Sequence, residues 1–337
     1  MFKVSRQHGV ALISVMLIVA LAAIIATQMT TRLQVELQRN ANIEFNQQAY
    51  WYAIGAEAFT KRLLTESVKR DPNITHLEQI WAQGETTYPV EFGQITGEIT
   101  DLQACFNLNS LRPDQSTTPG VAPPTSGGSN KPQAQHTLER LIISLGVEGV
   151  SNFEAEYMVD ALTDWLDQDT SIASAGGAED NDYAGREFPY LAANHFLASV
   201  NELRVIEHFT VPVINALRPY VCTLPYNQNS ININTLTSEQ SKLLAAAFDG
   251  MSESDAQELI NDRPDQGYSD GATFFTAPVF AKKAPTNTER GQIAFDSNFF
   301  NLKTTTRFNT SFFTMNSMMM VTDNKRVDVI SRRIGRE

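Results

Sequence analysis

An uncharged and mostly apolar run extends from Val10 to Thr31, near the start of the chain. A helix rises about 1.5 Å per residue, so this run spans roughly 33 Å, enough to cross a hydrocarbon core of about 30 Å. Lys3 and Arg6 precede the run, and positive charges favour the cytoplasmic side for the flank that carries them. A cleaved secretory signal would have a shorter apolar core. We therefore expect a retained, single-pass anchor, with the rest of the chain on the outer side of the membrane.

A glycine stands directly before the apolar run, in RQHGVALISVML at residues 6–17. This placement resembles the class III leader of type IV pilins and pseudopilins. The resemblance implies that a prepilin peptidase cuts between Gly9 and Val10 and that the new amino group of Val10 is methylated. The family usually has glutamate as the fifth mature residue, whereas Ser14 stands there in this chain. An ordinary signal anchor with an accidental glycine is the alternative.

Composition limits the classes of partner. The chain has 337 residues, 42% of them hydrophobic, which is enough for a sizeable core in two or three domains. Its net charge of −12 argues against a surface that binds nucleic-acid phosphates. Cys105 and Cys222 are the only cysteines. In an exported chain such a pair indicates one disulfide, and two buried reduced thiols are the alternative.

The pattern after the apolar run indicates one long helix followed by strands. Residues 32–70 contain no proline and keep apolar side chains at helical spacing, and Asp71-Pro72 ends the pattern. Residues 88–100 then alternate apolar and polar side chains, as half-buried strands do. The sequence therefore predicts a helix of about 60 residues, at 1.5 Å rise each, that packs on a sheet.

The remaining chain divides into three parts by composition. Residues 112–135 are rich in proline, serine, threonine and glycine, which indicates a flexible linker. Residues 136–277 carry helical periodicity with capping residues, and residues 278–337 return to strand-like alternation. We expect a leader at 1–9, a membrane span at 10–31, a helix and first strands at 32–111, the linker, an inserted helical domain, and closing strands.

Five stretches between the first strands and the middle of the helical part keep a characteristic order. They read CFNLNSL, DALTDWLDQD, GGAEDNDY, FPYLAANHFLASVNELRVI and ININTLTSEQ. Together they resemble general secretion pathway protein K, the K-type minor pseudopilin family of type II secretion systems. Members of that family typically lack the fifth-position glutamate, which agrees with Ser14.

The resemblance implies both a fold and a role. The fold is α+β: a pseudopilin fold, with a long N-terminal helix packed on an antiparallel sheet and a large all-helical domain inserted between strands. The role is that of a minor pseudopilin at the tip of the periplasmic pseudopilus, capping a complex with I- and J-type minor pseudopilins and supporting export of folded proteins across the outer membrane. The implied location is the inner membrane, with the C-terminal domain in the periplasm. Exported proteins and the outer-membrane secretin are further implied partners, and a minor pilin of a type IV pilus system is the alternative.

The densest group of acidic residues lies in the helical part. Hard cations such as calcium take six to eight oxygen ligands, which such a loop can supply, but composition alone favours a solvated acidic loop over a cation site. The resemblance favours calcium, because K-type pseudopilins bind it in their helical domain. The ligands that we expect for a structural calcium ion are Asp167, Asp169, Glu179, Asp180 and Asp182.

Two other classes of function fit the sequence poorly. The stretches 145–162 and 231–240 resemble helix-hairpin-helix (SAM-like) modules, but they have few basic residues, so we interpret them as scaffold without nucleic-acid binding. No nucleophile motif, P-loop or zinc-ligand spacing is present in the sequence. We therefore expect a structural protein and not an enzyme.

Overall fold

The structure is a computed structural model that describes residues 10–91, 93–113, 131–308 and 311–335. Of the two residues at the predicted cleavage site, Val10 is the first described residue, and Gly9 lies outside the described residues. Most of the predicted linker, residues 114–130, also lies outside them.

A single helix, α1, runs from Val10 to Arg70, which agrees with the predicted length. Its first half is fully exposed, and among the described residues it is the one helix long and apolar enough to cross a membrane. Ser14 donates its hydroxyl proton to the carbonyl of Val10 at 2.9 Å, so its polar group is satisfied within the helix. The second half packs on the sheet, and the helix stops where the Asp71 amide donates to the Ser67 carbonyl.

The described residues form a five-stranded antiparallel sheet against the second half of α1, in the order β1-β2-β7-β8-β9. Side chains alternate between its two faces, and every second residue of β7 from Phe300 to Phe308 is buried. Phe308 stacks on Tyr52 of α1 with 5.3 Å between ring centroids. The five strands span Thr86–Val90 (β1), Gly93–Asp101 (β2), Phe299–Phe308 (β7), Ser311–Val321 (β8) and Val327–Ile334 (β9).

A helical unit is inserted between β2 and β7. Its core contains fully buried leucines, such as Leu138, Leu162 and Leu243, drawn from three different helices. The helices are α2 (Gln133–Ser144), α3 (Asn152–Leu166), α4 (Asp180–Ala184), α5 (Val211–Leu217), α6 (Ser241–Ala247), α7 (Glu253–Asn261), α8 (Gly271–Phe274), α9 (Val279–Lys282) and α10 (Asn287–Arg290).

Short strands and turns complete the helical unit. Two pairs of short strands, parallel within each pair, connect distant parts of the unit. Strand β3 (Phe106–Asn107) pairs with β4 (Val221–Cys222), and β5 (Ile231–Asn232) pairs with β6 (Ile293–Ala294). Short 3₁₀ helices lie at Ile80–Ala82, Leu108–Leu111, Val200–Val205 and Ser238–Gln240.

The boundaries of the helical unit differ from the prediction at both ends. Residues 104–111, which were predicted to belong with the first strands, pack in the helical core, because the chain leaves the sheet at Asp101. Helix α2 begins at Gln133, inside the predicted linker, and α9 and α10 lie where strands were predicted from residue 278. These two helices have four residues each, too few to show a 3.6-residue period in the sequence.

The two cysteines form a disulfide, which confirms the predicted bridge and excludes the alternative of two reduced thiols. Cys105 and Cys222 lie 117 residues apart in sequence, with their Cα atoms 5.9 Å apart. The bridge links the chain just after β2 to the end of β4, beside the β3–β4 pair. Closing so long a loop stabilises the fold by up to about 4.7 kcal/mol in the chain-entropy account.

Candidate metal centre

Helix α3 carries the first acidic residues of the cluster to its C-terminal end. It begins at a capping box, in which the Ser151 hydroxyl accepts from the Phe153 amide and the Glu154 carboxylate accepts from the Ser151 amide. Residues at helical spacing face the core, so the sequence DALTDWLD places Asp164 on the buried side. The helix ends at Leu166, and the backbone of the next residue, Asp167, is already extended.

Asp164 is a buried carboxylate with incomplete hydrogen bonding. It has no exposed surface. Its Oδ1 accepts from the Ala173 amide at 3.4 Å, whereas its Oδ2 has no hydrogen-bond partner within the part of the chain that the structure describes. A charged group buried in this way is costly unless a cation compensates it.

Two further aspartates turn the chain back after α3. Oδ1 of Asp167 accepts from the Asp169 amide at 3.3 Å, and Oδ1 of Asp169 accepts from the Ser171 amide at 2.8 Å. Such side-chain to backbone turns are typical of aspartate. They hold both side chains at the entrance of the loop that leads to Glu179, and leave the second oxygen of each carboxylate available.

Glu179 completes the group at the start of α4. Its side chain is buried, and neither carboxylate oxygen has a hydrogen-bond partner among the described residues. Asp167, Asp169 and Glu179 each offer an oxygen, and these oxygens all lie within 4.8 Å of one another. Three of the five predicted ligands therefore have carboxylate oxygens close enough together to hold one metal ion.

The pKa values of these groups show how unfavourable the cluster is when it is fully ionised. Burial, reinforced by the neighbouring carboxylates, raises the pKa of Asp164 and of Asp167 to about 6 and that of Glu179 to about 7. The nearby Arg112 acts in the opposite sense on the pKa of Asp167, but less strongly than burial. Its guanidinium lies over the Phe196 ring, 4.7 Å from the centroid.

The other two predicted ligands, Asp180 and Asp182, also accept backbone amides but lie outside the group of three. Oδ1 of Asp180 accepts from the Ala192 amide at 3.0 Å, and Oδ2 of Asp182 accepts from the Glu179 amide at 2.9 Å. Asp182 thereby caps α4, and Asp180 ties α4 to the loop that follows. They do not belong to the group of three whose oxygens meet, and their role as ligands stays a prediction.

The sequence analysis left Asp164 out of the ligand set. A detectable signal was its position three residues before Asp167, in the same acidic stretch. The glycine pair in GGAEDNDY has a related role. A Cβ on Gly177 would collide with Oδ2 of Asp164, so the loop can close over that oxygen only with glycine there.

The residues present fit a hard cation. The cluster supplies carboxylate oxygens and no sulfur or imidazole, the donor set that calcium prefers. The buried oxygens of Asp164 and Glu179 that lack hydrogen-bond partners are the groups for which a cation would compensate. A cation held here would compensate the charge of the carboxylates and fix the loop between α3 and α4.

Comparison with known protein families gives matches over the helical unit. Two family profiles, both described as "Type II secretion system (T2SS), protein K", match residues 104–226 and 231–296. Both matches lie between β2 and β7, where the helical unit is inserted.

Individual proteins are similar over most of the chain. The type II secretion system protein K of Aeromonas hydrophila is 39% identical over 271 residues, which cover 79% of this chain and 78% of that protein. The type II secretion system protein K of Pectobacterium carotovorum subsp. carotovorum is 33% identical over 332 residues, covering 98% of this chain and 97% of that protein. The crystal structure of the GspK–GspI–GspJ complex from enterotoxigenic Escherichia coli contains a chain that matches with a TM-score of 0.77 and 33% identity. The match covers 89% of this chain and all of that one.

Proposed function

This chain belongs to the type II secretion system protein K family, and from that premise we propose that it is the minor pseudopilin that caps the periplasmic pseudopilus together with I- and J-type minor pseudopilins. In this role it supports the export of folded proteins across the outer membrane. Family membership favours secretion over the alternative of a type IV minor pilin.

One observation carries the proposal. The architecture, a long helix on an antiparallel sheet with a helical unit inserted between β2 and β7, matches over 89% of this chain a chain solved in the GspK–GspI–GspJ complex. The match includes the inserted unit and not only the helix, since it covers 89% of this chain. A shared leader or helix alone would not distinguish a tip subunit from other pilin-like proteins.

The shape of the subunit supports a position at the tip. A shaft subunit must leave room for neighbours on all sides of a helical fibre, and the inserted helical unit adds bulk on the sheet end of the molecule. Ser14 satisfies its own hydroxyl within α1 and carries no charge. A carboxylate at this position would be available to pair with the amino terminus of another subunit. A subunit that lacks this carboxylate suits the tip of the fibre, where no other subunit lies above it.

Processing and location follow from the same role. We propose that the prepilin peptidase cleaves after Gly9 and that the amino group of Val10 is methylated. The apolar half of α1 then holds the subunit in the inner membrane until assembly, with the sheet and helical unit in the periplasm. The outer-membrane secretin and the exported proteins are proposed as later contacts. The role is one of assembly, and we propose no catalytic step.

A calcium ion is proposed as part of this fold. Asp167, Asp169 and Glu179 would hold it, with the buried Asp164 close by, and Asp180 and Asp182 remain further candidates. The ion would supply positive charge to a cluster of carboxylates that is otherwise self-repelling. This chain's own residues would then keep the loop between α3 and α4 fixed against α3.

Co-expression tests the assembly. The full chain is produced with tagged I- and J-type minor pseudopilins of the same system and extracted in mild detergent, and the complex is isolated through the tag. We expect a stable complex of the three proteins at equal stoichiometry. A major pilin of an unrelated type IV pilus system, tagged in the same way, is the control. Failure to recover this chain with the I- and J-type proteins, or equal recovery with the control pilin, would reject the proposal.

A further inference from the structure

One face of the five-stranded sheet is turned away from α1. Ser317 of β8 lies on the inner face, because its hydroxyl donates to the Glu57 side chain of α1. Successive residues of a strand point to opposite faces, so Asn316 and Met318 lie on the outer face. Arg333 of β9 pairs with Asn316 in the register and lies beside it there. The outer face therefore carries polar and basic side chains on the side opposite α1.

A cleft of about 230 Å³ lies between this outer face and the helical unit. The side chain of Arg333 donates to the Ala198 carbonyl, so the two walls of the cleft are joined at one point. Side chains from the sheet and from the helical unit thus face the same space. The polar side chains on its walls include Asn301, Asn316, Ser331 and Arg333 from the sheet and Asn201 and Arg218 from the helical unit.

The charged side chains that line the cleft are both basic. They belong to Arg218, at the C-terminal end of α5, and to Arg333, and no carboxylate is among the described residues that line it. Nη2 of Arg218 donates to Oδ1 of Asn201 at 2.8 Å, which restrains the guanidinium. Lys303 of β7 lies opposite Asn316 in the register, so a third cation lies on the same face of the sheet.

The acidic side chains near the cleft have other partners or lie apart from the two arginines. Glu202 caps the start of the 3₁₀ helix Val200–Val205 through two backbone amides. Asp101 accepts hydrogen bonds from three side chains at the end of β2. Glu98 lies opposite Lys303 on β2, three strands away from β9. The cleft therefore keeps its positive charge in a chain whose net charge is −12.

Three polar side chains on the sheet wall have hydrogen-bonding groups to offer. The side chains of Asn301, Asn316 and Ser331 form no hydrogen bond within the residues that the structure describes, and both asparagines are half-buried. Half-buried amides of this kind are satisfied by water or by a ligand. The strands fix their positions, so the cleft presents oriented donors beside the two arginines.

The rest of the lining is apolar. Leu102, Val200, Val221 and Met318 line the same cleft. A ligand that suits such a mixed surface has a hydrocarbon part and an anionic end. Arginine binds the planar carboxylate group through two parallel N–H···O bonds, and side-chain amides can donate to its remaining lone pairs. Inorganic phosphate would leave the apolar lining without a partner.

We propose that this cleft binds a carboxylate on a short hydrocarbon stem, the group that an aspartate or glutamate side chain of another protein or a small free dicarboxylate carries. Arg218 and Arg333 pair with the carboxylate, and Asn316 donates to it from the sheet wall. The stem lies against Leu102 and Met318. Because the two arginines come from different parts of the fold, the bound group also holds the helical unit to the sheet.

Binding is measured by isothermal titration calorimetry on the full chain in mild detergent, at constant ionic strength. The probes are succinate, the blocked peptide acetyl-Gly-Glu-Gly-amide, the same peptide with glutamine in the middle, and inorganic phosphate. The test variant is Arg218→Gln with Arg333→Gln. Arg204→Gln with Arg326→Gln is the matched control, because it removes the same charge from two exposed arginines that do not line the cleft. Asn316→Leu removes an amide and leaves the net charge unchanged.

We expect saturable binding of succinate or of the glutamate peptide, weakened about tenfold or more in the test variant, because charge-assisted hydrogen bonds are lost. The control variant should bind as the unaltered chain does. Asn316→Leu should weaken binding by about threefold or more, the effect of one lost neutral hydrogen bond. Tighter binding of the peptide would assign the cleft to a protein side chain, and tighter binding of succinate to a free dicarboxylate; either result supports the proposal.

Four results would overturn the proposal. Neither carboxylate probe binds saturably, or the glutamine peptide binds as tightly as the glutamate peptide. Phosphate binds as tightly as the better carboxylate probe, which would show a general anion site. The control variant weakens binding as much as the test variant, which would show an effect of net charge alone. Thermal unfolding of every variant in the same buffer verifies that the measured chains are folded.

Discussion

Arg332, on the last strand, forms a two-point ion pair with Glu57, in the second half of α1. Its Nε lies 2.7 Å from one carboxylate oxygen and its Nη2 lies 2.8 Å from the other. The Glu57 side chain is almost fully buried and also accepts from the Ser317 hydroxyl on β8. Residues 275 positions apart thus fasten the closing strands to the helix on which the sheet packs.

Removal of the arginine should destabilise the fold more than removal of an exposed one. Arg332→Met leaves the Glu57 carboxylate buried without its cation, which we expect to lower the free energy of unfolding by about 2 kcal/mol, a reduced value because the arginine itself is partly exposed. The measurement is denaturant unfolding of the purified chain. Arg326→Met, which breaks a far more exposed pair with Asp328, is the control and should change little. Equal effects of the two substitutions would contradict a special role for the Glu57–Arg332 pair.

The disulfide should contribute a large part of the stability of the helical unit. Cys105→Ser with Cys222→Ser should lower the free energy of unfolding by about 2 to 5 kcal/mol, because the unfolded chain regains a long open loop. Thermal unfolding with and without reductant checks this. The unaltered chain should melt lower in reductant, whereas the double variant should not respond. A reductant effect of the same size in the variant would show that the bridge is not its source.

Glu179→Gln should have opposite effects with and without calcium. In chelator the variant should melt at a higher temperature than the unaltered chain, because one repelling carboxylate has gone from a buried cluster. In millimolar calcium the unaltered chain should be stabilised and the variant much less so. Glu187→Gln, an exposed change eight residues later in the chain, is the control and should keep the full calcium response. The same shift in both variants would argue against an ion at this cluster.

The pH dependence of stability should also reveal the cluster. The pKa values of Asp164, Asp167 and Glu179 are raised in the folded chain, to about 6, 6 and 7, by burial and neighbouring carboxylates. The folded state therefore binds protons more tightly than the unfolded one, and the stability that these groups contribute is lost as pH rises through that range. In chelator we expect the melting temperature to fall between pH 5 and pH 8. With calcium this decrease in melting temperature should disappear. Protons and the ion compete for the same carboxylates, so the loss of protons at higher pH favours binding of the ion. A melting temperature that rises with pH in chelator would contradict the raised pKa values.

Processing of the leader gives a prediction about mass. Cleavage after Gly9 and methylation of Val10 should leave a mature chain that begins at Val10 and is heavier by one methyl group. Mass spectrometry of the membrane-extracted protein checks both steps. Gly9→Ala should yield the uncleaved chain, whereas His8→Ala, one residue earlier, should be processed normally. An unaltered start at Met1 in the unsubstituted protein would reject the leader assignment.

Several features could be predicted from local sequence because their causes are local. The long helix follows from a run with no proline that ends at Asp71-Pro72, and Ser151 and Glu154 mark the start of α3 through a capping box that the structure contains. The strands of the tail follow from two-residue alternation. The limits of the helical unit could not be predicted in this way, because α9 and α10 are too short to carry a period.

The candidate metal site shows a similar division. Acidic residues at 167, 169 and 179 attract attention by composition, and the structure brings their oxygens together. Composition did not distinguish them from Asp180 and Asp182, whose carboxylates do not belong to the group of three. Burial was the deciding property, and it depends on which helix face the rest of the unit covers. The partnerless oxygen of Asp164 appears only once that face is packed.

The sequence by itself determined the long apolar helix, the family and the chemistry available to the acidic loop, because hydropathy, motif order and residue type are properties of short stretches. Only the tertiary structure decided that Arg332 neutralises Glu57, that Asp164 is sealed beneath Gly177 and that Arg218 and Arg333 line one cleft. Each of these depends on contacts between segments that are far apart in the chain, or on exposure after packing. Their energies arise from the removal of water by the whole fold, and no local pattern encodes that quantity.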